Sequence, residues 1–141
     1  METETVMVTQ KFASDEESIY DAFLDPKMAS KFLFATPTGT MVRAEIDARV
    51  GGRYTFVERR DGADVLHTGE YLELLRPLRM VFTFAVPEFS SEVSTVEILL
   101  SHLGEGCALK LINSGVPKEW AEQTREGWAG ILLKARDVLA G

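Results

Sequence analysis

Few side chains of this sequence are suited to catalysis or metal binding, and their spacing does not bring them together. The chain has two histidines, His67 and His102, and one cysteine, Cys107. Strand alternation points His67 inward, whereas His102 lies beside a predicted turn, so we do not expect the two to share a metal ion. The sequence therefore predicts no metal site and no cofactor, and a single cysteine cannot form an intrachain disulfide.

Acid–base catalysis would need a carboxylate that faces an apolar interior, because burial there raises the pKa of the group. Glu45, Asp47, Glu70 and Glu73 lie in predicted strands, but alternation places most of them on the solvent face. The Asn-Ser-Gly segment at 113–115 lacks the glycine that precedes the serine in a hydrolase nucleophile elbow. We predict no catalytic residue, and an enzymatic role is less favoured than a binding role.

Aromatic residues alternate with polar ones along the strands that must position any site. Tyr54 and Phe56 alternate with an arginine and a threonine, and Phe82 and Phe84 flank another threonine. Threonines and charges mark the solvent face of a sheet, so we expect the aromatic set to face inward. Asn113 has the inward parity of its own strand.

The last part of the sequence predicts a long helix over residues 117–139. Trp128 and Leu132 belong to its apolar side. Gly127 and Gly130 lie at the border of that side, where each glycine costs a helix about 1 kcal/mol relative to alanine. Two explanations stay open: a close crossing of the helix over a neighbouring backbone, or space left for a cavity that has Trp128 as one wall.

The order of the elements predicts an α+β fold in one domain, residues 1–141. A strand at 5–12 is followed by two short helices, a meander of six strands from residue 41, and the long helix. The first helix is expected to be capped by Ser14, with Glu17 completing a capping box. Strands joined by short turns favour an antiparallel sheet, and the C-terminal helix, about 34 Å long, could lie across its dry face.

Composition narrows the classes of function. Hydrophobic residues make up 45% of the chain and charged residues 26%, and no apolar run approaches the ~20 residues needed to span a bilayer. The net charge of −7 disfavours nucleic-acid binding, which needs a basic surface. With no signal-peptide pattern and one cysteine, the sequence predicts a cytoplasmic protein that binds no nucleic acid and does not insert into membranes.

Five segments carry a family resemblance: FASDEESIYDAFLDP, EIDARVGGRYTF, GEYLEL with RPLRMVFTF, STVEILL, and NSGVP with REGW. In this order they resemble the activator of heat-shock protein 90 ATPase family (AHSA-like), within the START and birch-pollen-allergen superfamily (SRPBCC). The resemblance covers essentially the whole chain. It implies a helix-grip (START-like) fold, in which a curved antiparallel sheet of about seven strands surrounds the C-terminal helix and two short helices follow the first strand. Related sequences often have a histidine where this chain has Asn113, so we expect no proton acceptor there.

The helix-grip fold implies a hydrophobic cavity under the C-terminal helix, and we expect it to bind a small hydrophobic or amphipathic molecule. The predicted ligand-binding residues are Tyr54, Phe56, His67, Phe82, Phe84, Asn113 and Trp128. One alternative, suggested by the family name, is a chaperone-associated module that activates the ATPase of heat-shock protein 90. Another is a cyclase- or hydrolase-like enzyme. An apolar patch on the outer sheet face would favour the module, and a buried ionisable pair inside a pocket would favour the enzyme. Exposed edge strands could also support a homodimer.

Overall fold

The computed structural model describes residues 2–140. In chain order the elements are β1 (Thr3–Phe12), α1 (Glu16–Leu24), α2 (Pro26–Ala29), β2 (Thr40–Ile46), β3 (Arg53–Arg60), β4 (Ala63–Leu75), β5 (Arg79–Phe84), β6 (Ser94–Leu103), β7 (Gly106–Pro117), a 3₁₀ turn (Lys118–Trp120) and α3 (Ala121–Leu139). Within this part of the chain, none of the helices is both long and apolar enough to cross a membrane.

The seven strands form one antiparallel sheet in the order β1-β7-β6-β5-β4-β3-β2. Strands β2 to β7 each pair with their neighbours in sequence, whereas β1 pairs with β7, from Thr3 opposite Pro117 to Phe12 opposite Cys107. The register shifts within three of these pairs, and such irregularities bend strands and increase their twist. A curved antiparallel sheet with a long C-terminal helix and short helices after β1 confirms the predicted fold class.

The first helix is capped by a different residue from the one predicted. The N-cap of α1 is Asp15, whose carboxylate accepts a hydrogen bond from the Ser18 backbone N–H at 2.9 Å. Ser14 instead donates its hydroxyl hydrogen to the carbonyl oxygen of Leu139 at 3.0 Å. The serine therefore connects the start of α1 to the last turn of α3, a long-range contact that a local capping pattern cannot reveal.

Burial along the strands follows the predicted alternation. Every second residue of β3, from Tyr54 to Glu58, is buried. The same period extends through the middle of the sheet, whose inner face also buries Met80, Phe82, Val96, Ile98, Leu100, Leu109 and Leu111. These side chains form one core with α1 and α3. The period of two was therefore sufficient to predict which face of the sheet is dry.

Gly69 marks a close crossing of β4 and β5. A Cβ atom at this position would overlap the carbonyl oxygen of Thr83, which also accepts a hydrogen bond from the Tyr54 hydroxyl at 2.7 Å. The preceding residue, Thr68, pairs with Ala85 just beyond the end of β5. Only glycine allows the two backbones to approach this closely, so this crossing requires Gly69.

Helix α3 packs Trp128, Leu132 and Ala135 against the inner face of the sheet. Its two interior glycines match neither predicted explanation. Gly127 and Gly130 are both exposed, and beyond their chain neighbours and the backbone of α3 itself, a Cβ atom at either position would meet no heavy atom within 4 Å. They face solvent, so neither a close backbone crossing nor a cavity accounts for their presence in the helix.

Replacing these exposed glycines should stabilise the protein. Gly127→Ala and Gly130→Ala are each expected to raise the free energy of unfolding by up to about 1 kcal/mol, because alanine restricts the unfolded chain and favours the helix. Urea denaturation at neutral pH measures the change. Gly62→Ala is the matched control: the φ of Gly62 is 81°, so alanine there should destabilise. A loss of stability in either helix variant would contradict the open space seen at both positions.

Candidate functional site

The residues predicted to line a cavity share one interior under α3, and that interior is largely filled. Tyr54, Phe56, His67, Phe82 and Trp128 are buried there. The empty space between the rings beside α1 is only about 10 Å³, room for about one water molecule. The centre is filled by a residue that the sequence pattern did not single out, a phenylalanine from the loop between α2 and β2.

Phe34 is this central residue, and its ring contacts five aromatic neighbours. Three rings lie nearly parallel to it, at centroid separations of 4.8, 5.2 and 5.9 Å: His67, Phe84 and Tyr54. Two more approach with steeply inclined planes, at 5.6 and 5.7 Å: Phe56 and Trp128. We call the space that these five residues enclose, and that the Phe34 ring fills, the ring slot.

The backbone of Phe34 has an unusual conformation for a residue with a side chain. Its φ of 60° lies in the left-handed region, which costs a residue other than glycine about 1–2 kcal/mol. Burying a phenylalanine ring contributes roughly 1.5–3 kcal/mol, and well-placed aromatic pairs add roughly 0.5–1.5 kcal/mol more. Ring burial therefore outweighs the backbone cost, and packing of the Phe34 ring in the ring slot stabilises the loop conformation.

His67 is held in the uncharged state beside this ring. Its Nδ1 atom lies 3.3 Å from the Phe56 carbonyl oxygen, and its Nε2 atom lies 3.3 Å from Nη2 of Arg60. The carbonyl oxygen can only accept and the guanidinium can only donate, which assigns the imidazole hydrogen to Nδ1. Burial, and secondarily the positive charge of Arg60, lower the pKa of His67 to about 4.

A buried carboxylate anchors the loop that carries Phe34. Glu58 has a side chain only 1% exposed, and its oxygens accept from the Thr36 backbone N–H at 2.6 Å and the Thr36 hydroxyl at 3.1 Å. It also pairs with Nε of Arg60 at 2.5 Å, and a second nitrogen of that guanidinium lies 3.5 Å from the Phe34 carbonyl oxygen. A Cβ atom at Gly39 would overlap the Glu58 carboxylate, so the loop closes tightly around it.

Asn113 joins the sheet to α3 through its side-chain amide. It is fully buried, and its amide nitrogen donates to the Ser94 hydroxyl at 2.9 Å and to the Thr95 carbonyl oxygen at 3.0 Å. Its carbonyl oxygen accepts from Nε1 of Trp128 at 3.0 Å. This network satisfies the indole N–H and fixes Trp128 over the inner face of the sheet.

A second space, open to solvent, lies beside Asn113 at the N-terminal end of α3. It has a volume of about 150 Å³, and we call it the groove. Its lining residues come from the end of β5, the β5–β6 connection, the start of β6, β7, the 3₁₀ turn and the start of α3: Phe84, Val86, Phe89, Ser90, Glu92, Ser94, Asn113, Val116, Pro117, Trp120 and Thr124. Phe89 and Trp120 are 59% and 41% exposed and form its apolar rim. Of the seven predicted ligand-binding residues, Phe84 and Asn113 line the groove.

The groove and the ring slot share one wall. Phe84 lines the groove and stacks on the Phe34 ring. Asn113 lines the groove and holds Trp128, which borders the slot. Among residues 2–140, no group of three or more histidine, cysteine, aspartate or glutamate side chains is arranged to hold a metal ion. The chemistry of the site is therefore that of apolar surface with a few buried polar atoms.

Sequence reasoning missed three residues of this region: Phe34, Glu58 and Arg60. A signal for Glu58 was present, since it has the inward parity of Tyr54 and Phe56 in the same strand. A buried carboxylate needs a partner, and Arg60 is the nearest inward-parity cation along β3. Phe34 had no such signal, because it lies in a loop without periodicity and its contacts come from distant strands.

Solved structures with the same fold cover nearly the whole chain. Protein CV1439 from Chromobacterium violaceum is 26% identical, with a TM-score of 0.89, and the match covers 97% of each chain. An AHSA1-like protein from Aeromonas hydrophila is 17% identical, with a TM-score of 0.84, covering 96% of this chain and 92% of the other. CalU16 from Micromonospora echinospora is 18% identical, with a TM-score of 0.75, covering 96% and 76%.

No protein with a curated description matches the sequence significantly. The family model described as Activator of Hsp90 ATPase homolog 1-like protein matches residues 13–139. That range runs from the end of β1 to the last turn of α3 and contains the ring slot and the groove. The chain therefore belongs to the Activator of Hsp90 ATPase homolog 1-like family.

Proposed function

We propose that this protein binds a small hydrophobic or amphipathic molecule through the groove at the N-terminal end of α3. The observation that carries the proposal is the shape and lining of this space. It is a concave volume of about 150 Å³ with Phe84, Val116 and Trp120 among its apolar walls. Apolar concave surface with a few fixed polar groups is the usual composition of a ligand site.

The volume limits the size of the molecule. A cavity of about 150 Å³ admits benzene, whereas sites for drug-sized molecules measure roughly 300–1,000 Å³. The groove alone therefore takes one ring or a short chain. Ser94 and Glu92 are polar groups in its lining, so an amphipathic ligand would place its polar end toward them and its apolar end against Phe84.

The two alternative functions receive less support. Arg79 lies on the outer face of the sheet between Glu73 and Glu97 and pairs with both, so charge interrupts the apolar surface that a protein-binding module would need. Glu58 and the half-buried Arg60 form an ion pair with a buried carboxylate, which an enzyme could use. However, neither lines the groove, and the Glu58 carboxylate is occupied by the groups that anchor Thr36.

Two further expectations accompany the binding role as proposals. A cytoplasmic location is supported by Cys107, a buried free thiol that a reducing compartment would preserve. A homodimer is supported by the hydrogen-bonding edge of β2, one of the two edge strands of the sheet. Size measurement in solution tests the second proposal directly.

Filling the groove should abolish binding of an apolar probe. Thr124 is half-buried on the first turns of α3 and lines the groove, so the indole of Thr124→Trp would occupy its volume. We expect the affinity for 1-hexanol, a short amphipathic chain of the size that the groove takes, to fall at least about ten-fold when measured by isothermal titration calorimetry, since the lost contacts are worth more than 1.4 kcal/mol.

The neighbouring position supplies the matched control. Gln123 is exposed and does not line the groove, so Gln123→Trp adds the same side chain to the same helix without filling the space. This variant should bind the probe like the parent protein. Equal binding by both tryptophan variants, or no binding by the parent, would contradict the proposed function.

A further inference from the structure

We infer that the ring slot is a binding compartment for a planar, uncharged aromatic ring, and that the Phe34 side chain occupies it in the absence of such a ligand. The inference rests on the proposed function, because the ligand would enter through the groove. It adds the chemical class of the ligand: a compound with one flat aromatic ring and a short flexible substituent that extends into the groove.

The walls of the slot favour a flat ring over other apolar groups. His67, Phe84 and Tyr54 present ring planes inclined by only 13°, 2° and 12° to that of Phe34. Stacked surfaces of this kind gain most from a second aromatic plane, whereas a saturated ring of the same size is thicker and has no π-face. The slot thus already has the geometry of an aromatic site, with a side chain of the protein as its occupant.

The electrostatics of the slot favour an uncharged ring. His67 is neutral at pH 7, because its pKa lies at about 4. The guanidinium of Arg60, which lies beside His67, is already paired with Glu58. A charged ring would therefore meet no free countercharge and would lose its hydration on entry.

Phe34 differs from an ordinary core residue in how it reaches the interior. It comes from a loop, whereas the slot walls are held by strands and by α3, and its φ of 60° lies in the left-handed region. The loop is anchored at Thr36, two residues further on, by the carboxylate of Glu58. Rotation about residues 34 and 35 could withdraw the ring without breaking that anchor.

A ligand can reach the slot from the groove because Phe84 borders both spaces. One surface of this half-buried residue lines the groove and another stacks on Phe34. A molecule with its tail in the groove would have its ring next to Phe84, in position to replace Phe34. If the ligand must displace the Phe34 ring, then removing the Phe34 side chain should tighten ligand binding.

The test compares two probes that differ only in the ring. 4-Phenylbutan-1-ol carries a flat ring, and 4-cyclohexylbutan-1-ol carries a saturated ring on the same tail. Phe34→Gly empties the slot and suits the left-handed backbone. Calorimetry should show that the variant binds the phenyl compound at least about ten-fold more tightly than the parent protein does, with a much smaller gain for the cyclohexyl compound.

The outcomes separate this inference from the proposed function. If Phe34→Gly gains no affinity, or gains equally for both probes, the slot is not an aromatic site, while groove binding still stands on the Thr124→Trp result. If Phe34→Gly binds the phenyl compound more tightly, and adding Thr124→Trp to that variant does not weaken the binding, then the ring slot is an aromatic site. In that case the groove is not its entrance. Near-ultraviolet circular dichroism checks that each variant keeps its packed core.

Displacement of the Phe34 ring can also be tested in the parent protein, where no substitution changes the packing. Nuclear Overhauser contacts between the Phe34 ring and the Trp128 indole are expected, because the ring centroids lie 5.7 Å apart. Saturation with 4-phenylbutan-1-ol should remove them and create contacts between the probe and Trp128. Retention of the Phe34 contacts in the saturated protein would overturn the inference.

Discussion

Glu58→Ala is expected to lower the free energy of unfolding by about 3 kcal/mol, because removing one member of a buried ion pair leaves its partners without compensation. The carboxylate is 1% exposed and accepts from Thr36 twice and from Arg60. Arg60 is 28% exposed and can turn to water, which places the loss at the lower end of the usual range. Urea denaturation followed by tryptophan fluorescence measures the change.

Two further variants test whether the buried carboxylate causes the loss of stability in Glu58→Ala. Glu58→Gln keeps an acceptor for the Thr36 backbone N–H and should lose less stability than Glu58→Ala. Arg59→Ala breaks the exposed pair with Asp64 on the same hairpin, where the side chains are 55% and 49% exposed, and should cost less than about 1 kcal/mol. If Glu58→Ala costs no more than Arg59→Ala, the carboxylate does not anchor the loop.

His67 is expected to make the protein sensitive to mild acid. Its pKa is about 4 in the folded protein and 6.5 for an ordinary histidine, so between these values the unfolded chain binds a proton that the folded protein does not. Its contribution to stability is therefore complete above pH 6.5 and is lost as the pH falls toward 4. The difference between the two pKa values corresponds to about 3 kcal/mol.

His67→Asn is the matched variant for this pH dependence. Its side-chain nitrogen can still donate to the Phe56 carbonyl oxygen, as Nδ1 of the histidine does, but it does not titrate. Carboxylates titrate equally in both proteins, so the difference between their stability curves reports His67 alone. Parallel curves from pH 7 to pH 4 would show that His67 is protonated as readily in the folded protein as in the unfolded chain.

The parts of the structure that could be predicted are those governed by local periodicity. Alternation in β3 and β5 identified Tyr54, Phe56 and Phe82 as buried, and the turn between β3 and β4 contains an Asp-Gly pair, a sequence signal of a hairpin. Period and turn chemistry act over a few residues, so a single sequence carries them completely. The α+β architecture followed from the order of these elements.

The parts that could not be predicted depend on contacts between distant residues. Phe34 fills the interior because strands β3, β4 and β5 and helix α3 meet around its loop. Helical periodicity placed Gly127 and Gly130 near the apolar face of α3. However, the curvature of the sheet determines how much of the helix surface is covered, and the sequence pattern does not contain that curvature. Glu58 combines both kinds of feature. Its inward position follows from the alternation in β3, but its partner Thr36 is distant in sequence and could not be predicted.

The pairing of β1 with β7 sets an order of events during biosynthesis. The neighbouring strands β2 to β6 can associate as they leave the ribosome, because their partners emerge within a few residues of one another. The first strand has no partner until Gly106–Pro117 has been synthesised. Val6 and Phe12, which are buried in the finished fold, therefore lack their β7 neighbours until that strand has emerged.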